Sequence, residues 1–199
     1  GLDAALSVDT RKAGVARAAL DAGADIVNDI AALRDDAAQG PLCAERGVPV
    51  VLMHKKGIPA SMQDAPYYED AYTEVRDFLL AAARDAEAVG IRRDQIVLDP
   101  GIGFGKRLED NLALMARLEE LAACGYPLLI GISRKSFVGA LTGKDVGERL
   151  AGTLAATCAA WLKGVDIFRV HDVGETVDAL RVIAACMAGK PTKGSAAIR

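Results

Sequence analysis

The chain has 199 residues, of which 51% are hydrophobic and 5% aromatic, enough apolar material for one sizeable core. Its net charge is −3, with both signs interspersed, so it has neither the basic stripe that binds nucleic acid nor a polybasic membrane patch. No apolar run approaches the roughly 18 residues of a membrane span, and the expected setting is the cytoplasm. Cys43, Cys124, Cys158 and Cys186 lie far apart without metal-ligand spacing, and buried reduced thiols are expected.

In chain order, β-type runs fall at Ala5–Asp9, Asp25–Asn28, Val48–Met53, Gln95–Asp99, Leu128–Ser133 and Val165–His171. Helical periodicity occupies Ala13–Ala22, Tyr68–Val89, Leu108–Ala123, Gly147–Leu162 and Glu175–Ala188. Strands that alternate with helices form a parallel sheet, either covered on both faces or closed into a barrel.

Nearly every apolar run ends on a reactive side chain: Asp9, Asn28, His54, Asp99, Ser133-Arg134-Lys135, and Arg169 with His171. In a (β/α) barrel the C-terminal strand ends converge on one mouth where sites are built, whereas a doubly wound sheet uses two or three loops at a switch point. The pattern therefore predicts an α/β fold of the (β/α)8 TIM-barrel type. Such a barrel has eight strands in typically about 250 residues, so six βα units, the third to the eighth, are expected here. Two further units, about 60–90 residues by the same requirement, are expected to precede the chain. Residues 1–190 would form this N-terminally incomplete barrel and 191–199 a disordered tail.

Asp99-Pro100-Gly101-Ile102-Gly103-Phe104-Gly105-Lys106 is the strongest local signal. Glycine at every second position lets a backbone fold tightly beneath a ligand. The spacing matches neither a Walker loop nor a dinucleotide fingerprint. In Ser133-Arg134-Lys135-Ser136, two adjacent cations follow a buried strand, which suits an anionic or carbonyl-bearing ligand. Alternation along the last strand would aim Arg169 and His171 the same way, making a cationic site for phosphate. His54 could be a base or a hydrogen-bonded core histidine, and the second is the expectation. With two histidines and no His/Cys/carboxylate cluster, an all-protein metal site is not expected.

These motifs, together with Ser7-Val8-Asp9-Thr10, Asn28-Asp29-Ile30, Met53-His54, Gly57, Pro59, Met62-Gln63, Phe137 and Asp172-Val173, resemble the pterin-binding enzymes. Within that group the resemblance is to the dihydropteroate synthase family, and it runs from Leu6 to about Gly189. It implies condensation of 6-hydroxymethyl-7,8-dihydropterin pyrophosphate with 4-aminobenzoate, releasing pyrophosphate with the help of Mg²⁺, as a step of folate biosynthesis. It further implies that Asp9, Asn28, Met53, Asp99, Gly103, Phe104 and Lys135 hold the pterin. Arg169 and His171 would hold the pyrophosphate; Phe104, Ser133, Arg134 and Lys135 would border the aminobenzoate slot where sulfonamides compete in the family. Asp9, Lys135, Arg169 and His171 would carry the catalysis. The physics agrees, because a carboxylate engages the pterin's row of N–H donors and a lysine its carbonyl.

Two departures from the family pattern stand out. Lys55-Lys56-Gly57 replaces the usual Met-x-Gly after His54, and the family's Mg²⁺ ligand and aminobenzoate lid belong to the first two units, outside this chain. Two alternatives are a methyltetrahydrofolate-dependent corrinoid methyltransferase and a catalytically silent pterin-binding fragment. The partners expected are small-molecule substrates and, by the resemblance, a second copy in a homodimer.

Overall fold

The computed structural model describes residues 3–57 and 66–190. Among the described residues six parallel strands run in sequence order: β1 (Ser7–Asp9), β2 (Ile26–Asp29), β3 (Val50–Met53), β4 (Ile96–Asp99), β5 (Leu129–Ile130) and β6 (Ile167–Phe168). The first four form one sheet and the last two another, and a single parallel bridge between Leu98 and Leu128 joins them. The fold is the expected TIM type, with six consecutive strands of the barrel present.

The helices are α1 (Ala13–Asp21), α2 (Gln39–Arg46), α3 (Ala71–Ala88), α4 (Leu108–Ala116), α5 (Leu118–Ala122), α6 (Ser136–Thr142), α7 (Leu150–Leu162) and α8 (Val173–Ala188). At least one of these fills every crossover, as parallel pairing requires. Two of them, α2 and α6, are absent from the sequence reading. Gly40-Pro41 in the first turn of α2 and Gly139 within α6 obscure their periodicity. The run expected as one helix over Leu108–Ala123 breaks at Arg117, the C-cap of α4 and the N-cap of α5. Asp70 caps α3, accepting from the N–H groups of Tyr72 and Thr73 at 3.1 Å.

Alternation along the strands divides two apolar populations. Val27, Val50, Leu52, Ile96, Leu98 and Ile130 point outward into the large core beneath the helices. Val51, Val97 and Leu129 form a separate small cluster with Ile26 on the inner face. Burying each such side chain contributes about 1.5–3 kcal/mol. The inner cluster floors a cavity of about 490 Å³, whose lining includes Asp9, Asn28 and Arg169.

The strands are shorter than their apolar runs. In particular β5 stops at Ile130 and β6 at Phe168, so Ser133–Lys135 and Arg169–His171 lie in loops beyond them. The expectation of buried reduced thiols is corrected in part: all four cysteines are free, but only Cys43 is buried, Cys124 and Cys158 are half-buried, and Cys186 is exposed. Burial pushes the Cys43 thiol up to about 11. Pro59, Met62-Gln63 and the tail 191–199 lie outside the described residues.

Candidate active site

Parallel registry sets the vertical positions of the polar residues. Asp9 pairs with Asn28, Asn28 with Val51, and Met53 with Asp99, which stacks the polar ends above the apolar floor. The Asn28 amide makes no side-chain hydrogen bond with any described residue, although it lines the cavity. Asp99 is buried, 6% exposed, and its Oδ1 accepts from the Gly101 N–H at 2.7 Å. Burial raises the Asp99 carboxyl above its ordinary range, partly offset by Gly101 and by Lys135 and Lys106. Met53 is buried beside Gly101, within the inner face.

The loop from Gly101 to Gly105 explains its own glycines. Residues 101, 103 and 105 all have positive φ, of 64°, 82° and 63°. A Cβ on Gly101 would run into the His54 carbonyl, and one on Gly105 into the Lys56 carbonyl. Gly103 instead faces Lys135, where a Cβ would lie 3.2 Å from Cδ. The glycines thus admit the β3–α3 backbone and one lysine side chain, and the tight turn expected from their spacing has those causes.

Lys135 reaches over this loop. Its ammonium donates to the Ile102 carbonyl and stands 4.6 Å from the centre of the Phe104 ring. Burial lowers its pKa to about 8, against the pull of Asp99. Lys106 is buried too, its Nζ 3.0 Å from His54 Nδ1 and 2.9 Å from the Gly101 carbonyl. His54 is accordingly the hydrogen-bonded core histidine of the second reading: burial and Lys106 push its pKa down to about 3.

A second cavity, of about 220 Å³, is lined by Gly131, Ser133, Lys135, Arg169, Val170 and His171. Arg169 and His171 share it through the loop after β6, and not through strand alternation as the sequence pattern implied. The Arg169 guanidinium lies 3.4 Å from Asp9, tying the first strand to the last. His171 Nδ1 is 2.9 Å from Ser133 Oγ. Arg134 turns to Asp172, with contacts at 3.1 and 2.5 Å, while Lys135 stands over the Phe104 ring.

Lys55 and Lys56 are not free cations at the mouth. Lys55 shares Asp35 with Arg11, which links the loops after β1, β2 and β3. Lys56 sits 4.0 Å from the centre of the Tyr68 ring and pairs with Glu74 at 3.2 Å. Sequence reasoning missed the supporting residues. Asn111 accepts from the Gly103 N–H at 2.8 Å, and the Tyr68 hydroxyl donates to the Gly105 carbonyl at 2.9 Å. Asp29, fully buried, accepts from the Ala31 and Leu33 N–H groups and the Gln39 amide. Only the position of Asp29, beside a strand-ending Asn28, could have signalled its role.

Residues 1–171 match the family profile described as "Pterin binding enzyme". The chain belongs to the pterin-binding enzyme family. Within the family, it is 45% identical over 188 residues to the dihydropteroate synthase of Escherichia coli K12, covering 94% of this chain and 66% of that enzyme. The chain thus spans about two thirds of that relative's length. Among solved pterin-binding enzymes, the Yersinia pestis dihydropteroate synthase with a sulfonamide drug complex superimposes with a TM-score of 0.90 at 42% identity, covering 95% of this chain and 69% of that one. The Xanthomonas albilineans dihydropteroate synthase in complex with 7,8-dihydropteroate gives 0.86 at 44% identity, over 92% of this chain and 67% of that one.

Proposed function

We propose that the chain forms the pterin- and pyrophosphate-binding part of a dihydropteroate synthase, a transferase of folate biosynthesis. The observation that carries this reading is the placement of Asp9, Asn28, Asp99, Lys135, Arg169 and His171 at or just beyond the C-terminal ends of five parallel strands, all but Asp99 lining one of two cavities that share Arg169.

Asp99 would accept from the pterin's aminopyrimidine N–H groups, because its Oδ2 accepts no hydrogen bond from a described residue. Asn28 offers both a donor and an acceptor, and Lys135 would donate to the pterin carbonyl. Arg169, His171 and Ser133 would take the pyrophosphate, which competes with Asp9 for the guanidinium. In the reaction, the bond from the pterin methylene to the pyrophosphate oxygen breaks, and the pyrophosphate leaves with the electron pair. The aminobenzoate nitrogen bonds to the methylene and loses a proton. Asp9 would stabilise the cationic character that develops at the methylene. No protein nucleophile is needed. Phe104, with Lys135 beside it, would border the aminobenzoate together with the loop that carries Ser133 and Arg134, the slot open to sulfonamides.

Among the described residues no group of three or more His, Cys, Asp or Glu is placed to hold a metal ion. Mg²⁺ belongs to the proposal as the resemblance implies it, its protein ligand expected in the first two barrel units. A cytoplasmic setting and a homodimer belong to the same reading; Val182 and Met187, 65% and 68% exposed on α8, offer apolar surface for a second copy. Among the described residues no helix is long and apolar enough to cross a membrane.

The test supplies the pterin pyrophosphate and 4-aminobenzoate and follows dihydropteroate and pyrophosphate. Binding of the pterin pyrophosphate, followed by calorimetry, tests the site separately from turnover. Methyl transfer to a corrinoid in place of dihydropteroate would overturn the reading, since a methyltransferase has no use for the Arg169–His171 cavity. Binding without turnover would leave the silent pterin-binding part of the reading alone.

A further inference from the structure

Lys106 is a buried lysine with no carboxylate in contact, and burial lowers its pKa to about 7, partly offset by Asp99. It is 4% exposed, and no described carboxylate lies within ion-pair distance of its ammonium. Lysine is almost never buried this way unless something specific engages it. Its amine nitrogen meets four acceptors: the Gly101 carbonyl at 2.9 Å, His54 Nδ1 at 3.0 Å, the Phe104 carbonyl at 3.2 Å and the His54 carbonyl at 3.5 Å.

These acceptors belong to the glycine-rich loop and to the strand end against which it packs. Three of the loop's carbonyls go to two lysines. Those of Gly101 and Phe104 go to Lys106, while that of Ile102 goes to Lys135. Backbone groups at both ends are pinned as well: the Gly101 N–H by Asp99, the Gly105 carbonyl by Tyr68. Lys106 therefore bonds both ends of the four residues that present the Ile102 carbonyl and the Phe104 ring to Lys135.

We infer that Lys106 is a positioning residue of the pterin site, whose ammonium holds the Gly101–Phe104 loop in the shape that orients Lys135 and Phe104. It touches no substrate. The role rests on the proposed function for its meaning, but the loop geometry it describes does not.

The experiment replaces Lys106 by Met, which keeps the length and removes the donors, with Lys106→Gln as a second variant that retains a neutral donor. Amide hydrogen exchange over residues 101–106 reads the loop directly. Calorimetry with pterin pyrophosphate on K106M, K135A and the double variant reads the coupling. The expected result is lost protection at the loop amides with the strand amides of Ile96–Leu98 kept, about tenfold or greater loss of affinity, and a double variant little worse than K135A. K106Q is expected to fall between K106M and the unaltered chain. The inference is overturned if the loop amides keep their protection, if the affinity losses multiply independently, or if neither variant folds. Failure of the unaltered chain to bind the pterin pyrophosphate would overturn the proposed function instead, and the exchange result would still decide the role of Lys106 in the loop.

Discussion

Arg134 and Asp172 form a two-pronged ion pair, Nε to Oδ2 at 3.1 Å and a terminal nitrogen to Oδ1 at 2.5 Å. Beside it, Ser133 Oγ lies 2.9 Å from His171 Nδ1. Two parallel cross-links therefore join the loop after β5 to the loop after β6, one residue apart on each. Arg134 has a φ of 57°, a left-handed conformation that a non-glycine residue holds only when its surroundings impose it. The Thr153 hydroxyl accepts from its N–H at 3.0 Å, and Arg149 donates to its carbonyl at 2.9 Å.

The cross-link predicts coupled effects on pyrophosphate affinity. Asp172→Ala and Arg134→Ala should each weaken pyrophosphate binding several-fold, because both release the loop that carries Ser133 and Lys135. The double variant should be no worse than either single one. Calorimetric titration with pyrophosphate checks this, and losses that simply multiply would show that the pair does not act as a unit.

For the pterin, Asp99→Ala and Lys135→Ala should each cost roughly tenfold or more in affinity, equivalent to about 1.5–3 kcal/mol for a hydrogen bond to a charged group. A pterin lacking the phosphates is the right probe, since it isolates the ring. Unchanged binding in both variants would remove the assignment of these residues.

Arg169→Ala should discriminate between the ligands in the opposite sense. Pyrophosphate affinity should fall roughly tenfold or more, while affinity for the phosphate-free pterin changes little. Arg169→Lys should restore only part of the loss, because a point charge replaces a planar fork. Equal losses for both ligands would place Arg169 outside a pyrophosphate site.

Gly101→Ala and Gly174→Ala make a stability contrast. At Gly101 a side chain meets both a φ of 64° and the His54 carbonyl, so a loss of about 3 kcal/mol or more is expected. At Gly174, in α8, nothing lies within 4 Å of the added Cβ, and a gain of about 0.5–1 kcal/mol is expected from helix propensity. Urea midpoints measure both, and a tolerant Gly101 would refute the close approach.

How much of this was legible depended on where the determinant lay. Asp9, Asn28 and Asp99 were readable because a polar residue at the end of an apolar run stands out against the core pattern. The barrel class followed from repeating that pattern six times. Arg169 and His171 line one cavity as expected, but the loop after β6 brings them there in place of strand alternation, because β6 pairs at only two positions, Ile167 and Phe168, before the chain turns. Asn111, Tyr68 and Lys106 hold the loop through backbone carbonyls and N–H groups, and such partners leave no trace in side-chain periodicity. Lys55 looked like an unexplained cation because its partner, Asp35, belongs to another loop.

His54 gives the last prediction, in acid. Its pKa lies at about 3 in the fold against 6.5 for the free side chain, because burial disfavours the charged ring and Lys106 repels it. Between those values the unfolded chain binds a proton that the folded chain refuses. Stability is therefore fully present above pH 6.5 and declines as the pH falls toward about 3, by on the order of a few kcal/mol from this residue. Asp29 and Asp99 act in the opposite direction, since burial raises both carboxyls and protonation relieves them. The difference between variants isolates the histidine. His54→Asn keeps an oxygen acceptor near the Nδ1 position for Lys106 and removes the titration. The urea midpoint of the unaltered chain should fall more steeply than that of H54N between pH 7 and pH 4, and parallel profiles would show that His54 is not held neutral in the core.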